Sequence, residues 1–321
     1  FHDYLFYIIF KFLYMQIKRK NIFKQYKWLK EKNKFFIISA DYDGLICASF
    51  LHHHLNWKLS GYYDYNSIWL SENALKNKKD LIWVDLNILP SSGKSIGSQI
   101  VTLNNNPIGL KTSCNPNIIN EIDSKNFNMK FPFSTLLFLM WLHKINYSRE
   151  DIGKLLILNS DNSWMKIQKY SNNIDSWTNI LSDFNWQNFK KNISTIDYEN
   201  KIDQYLYPKL INMGAVSGYS KLTSKYLNIK SRECKFNPDW DNDIILKLFN
   251  LFAENLKWTP PKLPEIIKRI EGKKLAINID EINKIGLDKF FKKYKVFSYA
   301  ITSPKILKYT IFNKYDNAKS E

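Results

Sequence analysis

The clearest pattern in the chain is Phe35-Phe36-Ile37-Ile38-Ser39, an apolar run that stops abruptly at Ala40-Asp41-Tyr42-Asp43-Gly44. A short apolar run bounded by turn residues predicts a buried strand. Leu45, Cys47, Ala48, Leu51 and Leu55 follow at near-helical spacing and predict a helix over 45–55. The pattern then repeats. Leu81-Ile82-Trp83-Val84 leads into Asp85, Gln99-Ile100-Val101-Thr102-Leu103 into Asn104-Asn105-Asn106, and Leu155-Leu156-Ile157-Leu158 into Asn159-Ser160-Asp161-Asn162. Strands alternating with helices predict an α/β protein with a parallel sheet covered on both faces. Ligands of such sheets sit outside the carboxyl ends of the strands. The four polar tips are therefore expected along one crevice.

The rest of the chain divides by its breakers. Phe131-Pro132-Phe133-Ser134-Thr135 opens a helix to about His143, and Ser148 predicts the cap of another, with Asp151 in the capping-box position. Residues 165–210 are polar and helical in pattern, with a connector helix over 193–206 that should stop before Pro208. Residues 211–257 show no clear period. Pro260, Pro261 and Pro264 break the chain. Beyond them, strands are expected at 274–279, 296–301 and 306–312, with a helix over 281–294. The implied organisation is a basic helical extension at 1–33, an α/β domain at 34–190, a helical connector at 191–260 and a small α/β domain at 261–321.

Asp41 and Asp43 lie one residue apart at a strand end, and Asp85 at the next. Carboxylates this close repel unless something positive lies between them, and the usual partner is a hard divalent cation with oxygen ligands. The plainer alternative is an Asp-rich turn in which one Asp caps the following helix.

These residues resemble the DHH phosphoesterase superfamily, which includes RecJ-like exonucleases, oligoribonucleases and pyrophosphatases. Its first motif, a strand ending His-x-Asp-x-Asp-Gly, is matched by Ser39-Ala40-Asp41-Tyr42-Asp43-Gly44, with Ser39 in place of the histidine. Asp85 matches the second motif and Asp161 the fourth. Asn104-Asn105-Asn106 stands where the family has Asp-His-His. The resemblance covers about residues 34–165. It implies a DHH-like fold with a smaller C-terminal domain, and two metal ions, usually manganese, that activate water and neutralise a phosphate. Asp41, Asp43, Asp85 and Asp161 are then the expected metal ligands, with Asn104 and Asn105 as neutral ligands or phosphate contacts. Asp41, Asp43, Asp85, Asn104 and Asn105 are the candidate catalytic set. Without the family's histidines the set suits a single manganese or magnesium ion, or none. The implied function is a divergent metal-dependent phosphodiesterase acting on single-stranded nucleic acid or short oligonucleotides. The alternative is a degenerate relative that binds nucleic acid or serves in a larger assembly. The family's glycine-rich C-terminal segment is missing here.

The five histidines do not fill the gap. His52-His53-His54 lies about three turns along the first helix, roughly 15 Å from its start, and His143 ends a helix. The Gly93-Lys94-Ser95 stretch lacks the earlier glycine of a phosphate loop, because that position holds Ile88.

Composition adds a charge argument. The 321 residues carry a formal net charge of +17, which attracts polyanions. Lysine clusters run from Lys18-Arg19-Lys20 through Lys24, Lys27, Lys30, Lys32 and Lys34, with Tyr26 and Trp28 interleaved, and again at Lys289, Lys292, Lys293 and Lys295, then Lys305 and Lys308. Lysines with exposed aromatics suit single-stranded nucleic acid. Heavy use of Lys, Asn and Ile also fits an AT-rich coding sequence. Three cysteines at unrelated spacings imply neither a disulfide framework nor a metal knot, and fit a reducing, cytoplasmic setting. The apolar first 14 residues are too short and interrupted to span a bilayer, so membrane association is not expected.

Overall fold

The computed structural model describes residues 17–89, 93–104 and 112–312. Asn105, Asn106 and the apolar N-terminal stretch lie outside the described residues. Eleven strands are described: β1 (Phe35–Ser39), β2 (Lys58–Tyr63), β3 (Ser67–Ser71), β4 (Ile82–Val84), β5 (Lys94–Ile96), β6 (Ser113–Cys114), β7 (Gly218–Thr223), β8 (Lys230–Glu233), β9 (Ile266–Asn278), β10 (Val296–Ser303) and β11 (Ile306–Phe312). Nine of them form one sheet in the order β10-β11-β9-β3-β2-β1-β4-β5-β6, and β7 and β8 form a separate hairpin.

The fold is α/β, as the alternation predicts. β2, β1, β4, β5 and β6 run parallel. Numbered along the chain, these five stand in the order 2-1-3-4-5. Such doubly wound sheets open a crevice where the order reverses, here between β1 and β4. β1 is apolar from Phe35 to Ile38 because both of its faces are covered. Phe36 and Ile38 join the main core, and Ile37 joins a second core on the opposite face with Tyr63, Trp83 and Ile88.

The other half of the sheet is antiparallel. β3 returns from β2 and pairs with β9, which pairs in turn with β11, and β11 with β10. The strands of residues 261–321 thus extend the sheet of the N-terminal part. They also curl back over it. The Leu89 amide donates to Phe297 O (2.9 Å) and the Ile301 amide to Ile100 O (2.8 Å). The Tyr299 hydroxyl donates to Val101 O (2.8 Å). The far edge of the sheet therefore lies against the loops that follow the parallel strands.

Several expected elements change. The run at 99–103 is not a strand. The strand is β5, and Ile100 and Val101 are buried in a loop with one bridging contact to Ile301. Asn115 ties that loop down by donating to Gln99 O (2.8 Å) and to the Asn87 side chain (3.0 Å). Leu155-Leu156-Ile157-Leu158 lies in the helix Ile152–Asn159, capped by Asp151 rather than Ser148. An apolar run buried on every side reads alike as strand or helix, because periodicity cannot separate the two. The connector does not stop at Pro208. A π turn at Ile202–Leu206 lets a further helix, Tyr207–Asn212, begin with Pro208 in its first turn, where no amide is needed. Residues 281–294 form two helices, Ile279–Ile285 and Leu287–Tyr294, separated at Gly286 (φ 85°).

The basic N-terminal segment docks on the body. In its helix Arg19–Gln25, Arg19 donates to Trp141 O (2.6 Å) and pairs with Asp183 (2.9 Å). Tyr26 and Trp28 are buried, not exposed, so they are unavailable to stack on bases. No helix among the described residues is long and apolar enough to cross a membrane.

β2 has no room for a side chain at Gly61. A Cβ there would stand 2.1 Å from Trp69 O on β3 and 3.4 Å from Ile37 Cγ1. Gly61→Ala is expected to destabilise the chain by about 1–3 kcal/mol or more, through forced separation of β2 from β3. Urea unfolding measures it, with a lowered midpoint at unchanged slope.

Candidate active site

The site begins with a close approach of backbone to backbone. After β1 the chain turns at Ala40 into the helix Tyr42–Leu55, whose N-cap is Asp41. The Asp41 carboxylate accepts the Gly44 amide at 3.0 Å. The plain capping reading therefore holds for Asp41. It does not account for the rest. A Cβ on Gly44 would lie 2.1 Å from Ser39 O and 2.7 Å from Ser39 Oγ, so the tight junction admits only glycine. Asp43 sits in the first turn of the same helix, where the helix dipole favours a negative charge.

Asp85 follows β4, the parallel neighbour of β1, in the left-handed region at φ 60°. Asp and Asn tolerate that conformation better than other side chains. The result is a triad: ligand oxygens of Asp41, Asp43 and Asp85 lie within 4.8 Å of one another. Asp85 is buried and the other two are half-buried.

Hydroxyls hold the triad in place. Ser39 Oγ lies 2.7 Å from Asp41 Oδ1 and 3.0 Å from Asp85 Oδ2, and the Thr135 hydroxyl donates to Asp85 Oδ1 at 2.6 Å. One serine has a single proton to donate. Without a cation, the Ser39 bridge is best served when one of the two carboxyls is itself protonated. The electrostatics agree. Burial, then the Asp41 charge, push Asp85 up to about 8, and burial, then Asp41 and Asp85, push Asp43 well above the usual carboxylate range. Burial also raises Asp41, against the pull of the Gly44 amide. Three oxygen donors this close, each disfavoured as an anion, fit a hard divalent cation.

Asp161 reaches the site by a different route from the one expected. It lies between the helices Ile152–Asn159 and Ser163–Lys169, and it and Asn162 are both left-handed (φ 47° and 51°). That turn aims the Asp161 amide at Asp43 Oδ1, where it donates a hydrogen bond. The Asp161 carboxylate is instead paired with Lys166 at 2.6 Å. Asp161 is thus beside the triad without joining it. Asn104 stands apart: its side chain is exposed and donates to Asn283 (3.2 Å). Asn105 falls outside the described residues.

A cavity of about 350 Å³ opens over the triad. Asp41, Asp43, Asp85 and Asp161 lie on one side. Phe127, Lys130, Phe131 and Lys166 form a second wall, and Ala300, Ile301 and Thr302 of β10 a third. Burial, then the like charge of Lys166, lower the pKa of Lys130. Among the described residues, no histidine lines the cavity. His54 and His143 are packed around Phe50, and burial lowers both to about 4.

Lys130, Lys166, Tyr65 and Thr135 were not foreseen. No local pattern marks the two lysines in so lysine-rich a chain. Tyr65, in the β2–β3 turn, takes a positive φ of 70°, unusual for a bulky residue. Lys235 also reaches the site through an isolated bridge with Asp41, and its charge stabilises that carboxylate. Comparison with protein-family models, curated proteins and solved structures returned no match.

The raised carboxyls set a sign for pH dependence. A folded pKa above the unfolded one means the folded state keeps a proton that unfolding releases. Stability from that group is full below about pH 4 and is lost as pH rises through about 8 for Asp85. In chelator, wild type should lose melting temperature relative to Asp85→Asn between pH 5 and 8.5. Millimolar magnesium or manganese should abolish that difference. A difference independent of pH would contradict the raised carboxyl.

Proposed function

We propose that the chain is a metal-dependent phosphodiesterase, a divergent DHH-like enzyme acting on single-stranded nucleic acid or short oligonucleotides. The observation that carries this reading is the cavity itself. Three converging carboxylates face two lysines, and the cavity lies at the switch point of a doubly wound sheet. Carboxylates alone favour a cation, and lysines alone favour an anion. Both in one cavity suit a phosphate bridged to a metal. Asp41, Asp43 and Asp85 would hold magnesium or manganese, which supplies a bound water of lowered pKa and polarises a phosphoryl oxygen. Lys166, fixed by Asp161, and Lys130 would balance the charge of the phosphodiester. Ser39 and Thr135 would orient the carboxylates.

A second reading has its own support. Asp161 is committed to Lys166 and Asn104 to Asn283, so two of the six expected site residues do not reach toward the triad. Those losses favour a relative that binds nucleic acid or an assembly partner without cleaving.

Hydrolysis of a labelled single-stranded oligonucleotide separates the two. With magnesium or manganese, wild type should release shorter products, and Asp43→Ala should reduce the rate at least about 100-fold. EDTA should do the same. Binding without cleavage by both proteins would establish the second reading.

A further inference from the structure

The carboxylate cavity does not end at Tyr65. Beyond that ring lies a second cavity of about 190 Å³. Tyr65, Gln99, Ala300 and Thr302 line both cavities, so the two share a wall. The second is lined further by Lys274 and Lys308. Strand register explains why. Thr310 on β11 pairs with Lys274 on β9, and Lys308 pairs with Ala276, which puts both lysines on one face of the ribbon. On β10, Ala300 pairs with Lys308, so its side of the strand continues that face.

Neither Lys274 nor Lys308 forms an ion pair with another of the described residues. The Lys274 ammonium lies 5.0 Å over the Tyr65 ring. Burial and the like charges of Lys308 and Lys235 lower its pKa, and Asp64 opposes them. Lys235 connects the two places, because its charge acts on Lys274 and on Asp41 alike. Lys235 is paired with Glu233 at 2.9 Å, which leaves Lys274 and Lys308 as the like charges at the cavity, and like charges gathered there are stabilised by a bound anion.

We propose that Lys274 and Lys308 form an anion subsite next to the carboxylate cavity, and that it takes a second phosphate of the ligand whose first phosphate sits at the triad. The identity of that ligand rests on the proposed function; the anion site itself rests on the ribbon. The ligand class is then a short molecule with two phosphates, such as a dinucleotide with a terminal phosphate. The strained Tyr65 is the divider between the two phosphates.

Two titrations test it. In the first, full-length protein without divalent ions is titrated calorimetrically with inorganic pyrophosphate. Wild type should show saturable binding, and K274A/K308A should bind at least about tenfold more weakly. Lys274 and Lys308 are exposed at the cavity mouth, and K289A/K292A removes the same charge from equally exposed positions on the helix Leu287–Tyr294 that line neither cavity, so it should match wild type. The subsite is overturned by absent binding, by wild-type affinity in K274A/K308A, or by an equal loss in K289A/K292A. In the second, Asp43→Asn with magnesium is titrated with a dinucleotide carrying or lacking a terminal phosphate. The phosphorylated form should bind about tenfold tighter, and adding K274A/K308A should remove the advantage. Equal affinities overturn the assignment to one ligand. If neither dinucleotide binds, the reading of the carboxylate cavity fails, while the pyrophosphate titration still decides the lysine site.

Discussion

Mutual repulsion among Asp41, Asp43 and Asp85 is the constraint around which this structure is organised. Three carboxylates within 4.8 Å do not gather unless the backbone compels them. Here it does so from two strands. Gly44 lets the helix after β1 press against Ser39 O, which brings Asp41 and Asp43 to the end of β1. The left-handed turn at Asp85 brings the third carboxylate from β4. Hydrogen bonds from Ser39, Thr135 and the amides of Gly44 and Asp161 then fix the oxygens. Each of those bonds comes from a packed element, so the carboxylate oxygens are prearranged. Such prearranged charge is what a cation-binding site requires, since binding then costs little reorganisation.

The parts of this arrangement that were legible in the sequence are the local ones. The β1 tip was readable because an unbroken apolar run ends in Asp-x-Asp-Gly, and each residue type there has a separate steric or electrostatic reason. Asp85 was readable by repetition of the pattern. Asp161 was found from the wrong element. Its apolar run forms a buried helix, and the residue arrives through a left-handed turn instead of a strand end. Asn104 was placed at a strand tip that does not exist, because residues 99–103 pack as a buried loop against β10. That contact joins segments about two hundred residues apart, and no local pattern carries it. Lys130 and Lys166 were illegible for the opposite reason. Lysine is so common in this chain that a functional lysine has no contrast with its background.

Charge has to be read from the same structure. Interleaved with lysines, Tyr26 and Trp28 suit stacking in sequence, yet both belong to the core, where they help seat the N-terminal segment. What the described residues leave at the surface there is a lysine-rich face, with Phe23 half-buried under Lys30. Lys130 and Lys166 differ in kind, because both are half-buried in the wall of the carboxylate cavity and Lys166 is held there by Asp161.

Within the proposed reading, the Asp161–Lys166 pair bears on how many cations the cavity takes. Asp41, Asp43, Asp85 and Asp161 contribute four negative charges when ionised, and Lys130 and Lys166 contribute two positive ones. One divalent ion brings that set to neutrality, and a second would leave it at two positive. The pair also withdraws Asp161 from the triad and places an ammonium where a further metal would need a ligand. A lysine carries charge but has no acceptor to offer a metal. The geometry is therefore matched to one cation plus fixed ammonium groups: the cation to activate water, the lysines to hold the phosphate. In that arrangement Lys130 and Lys166 supply the positive charge that a second ion would otherwise bring.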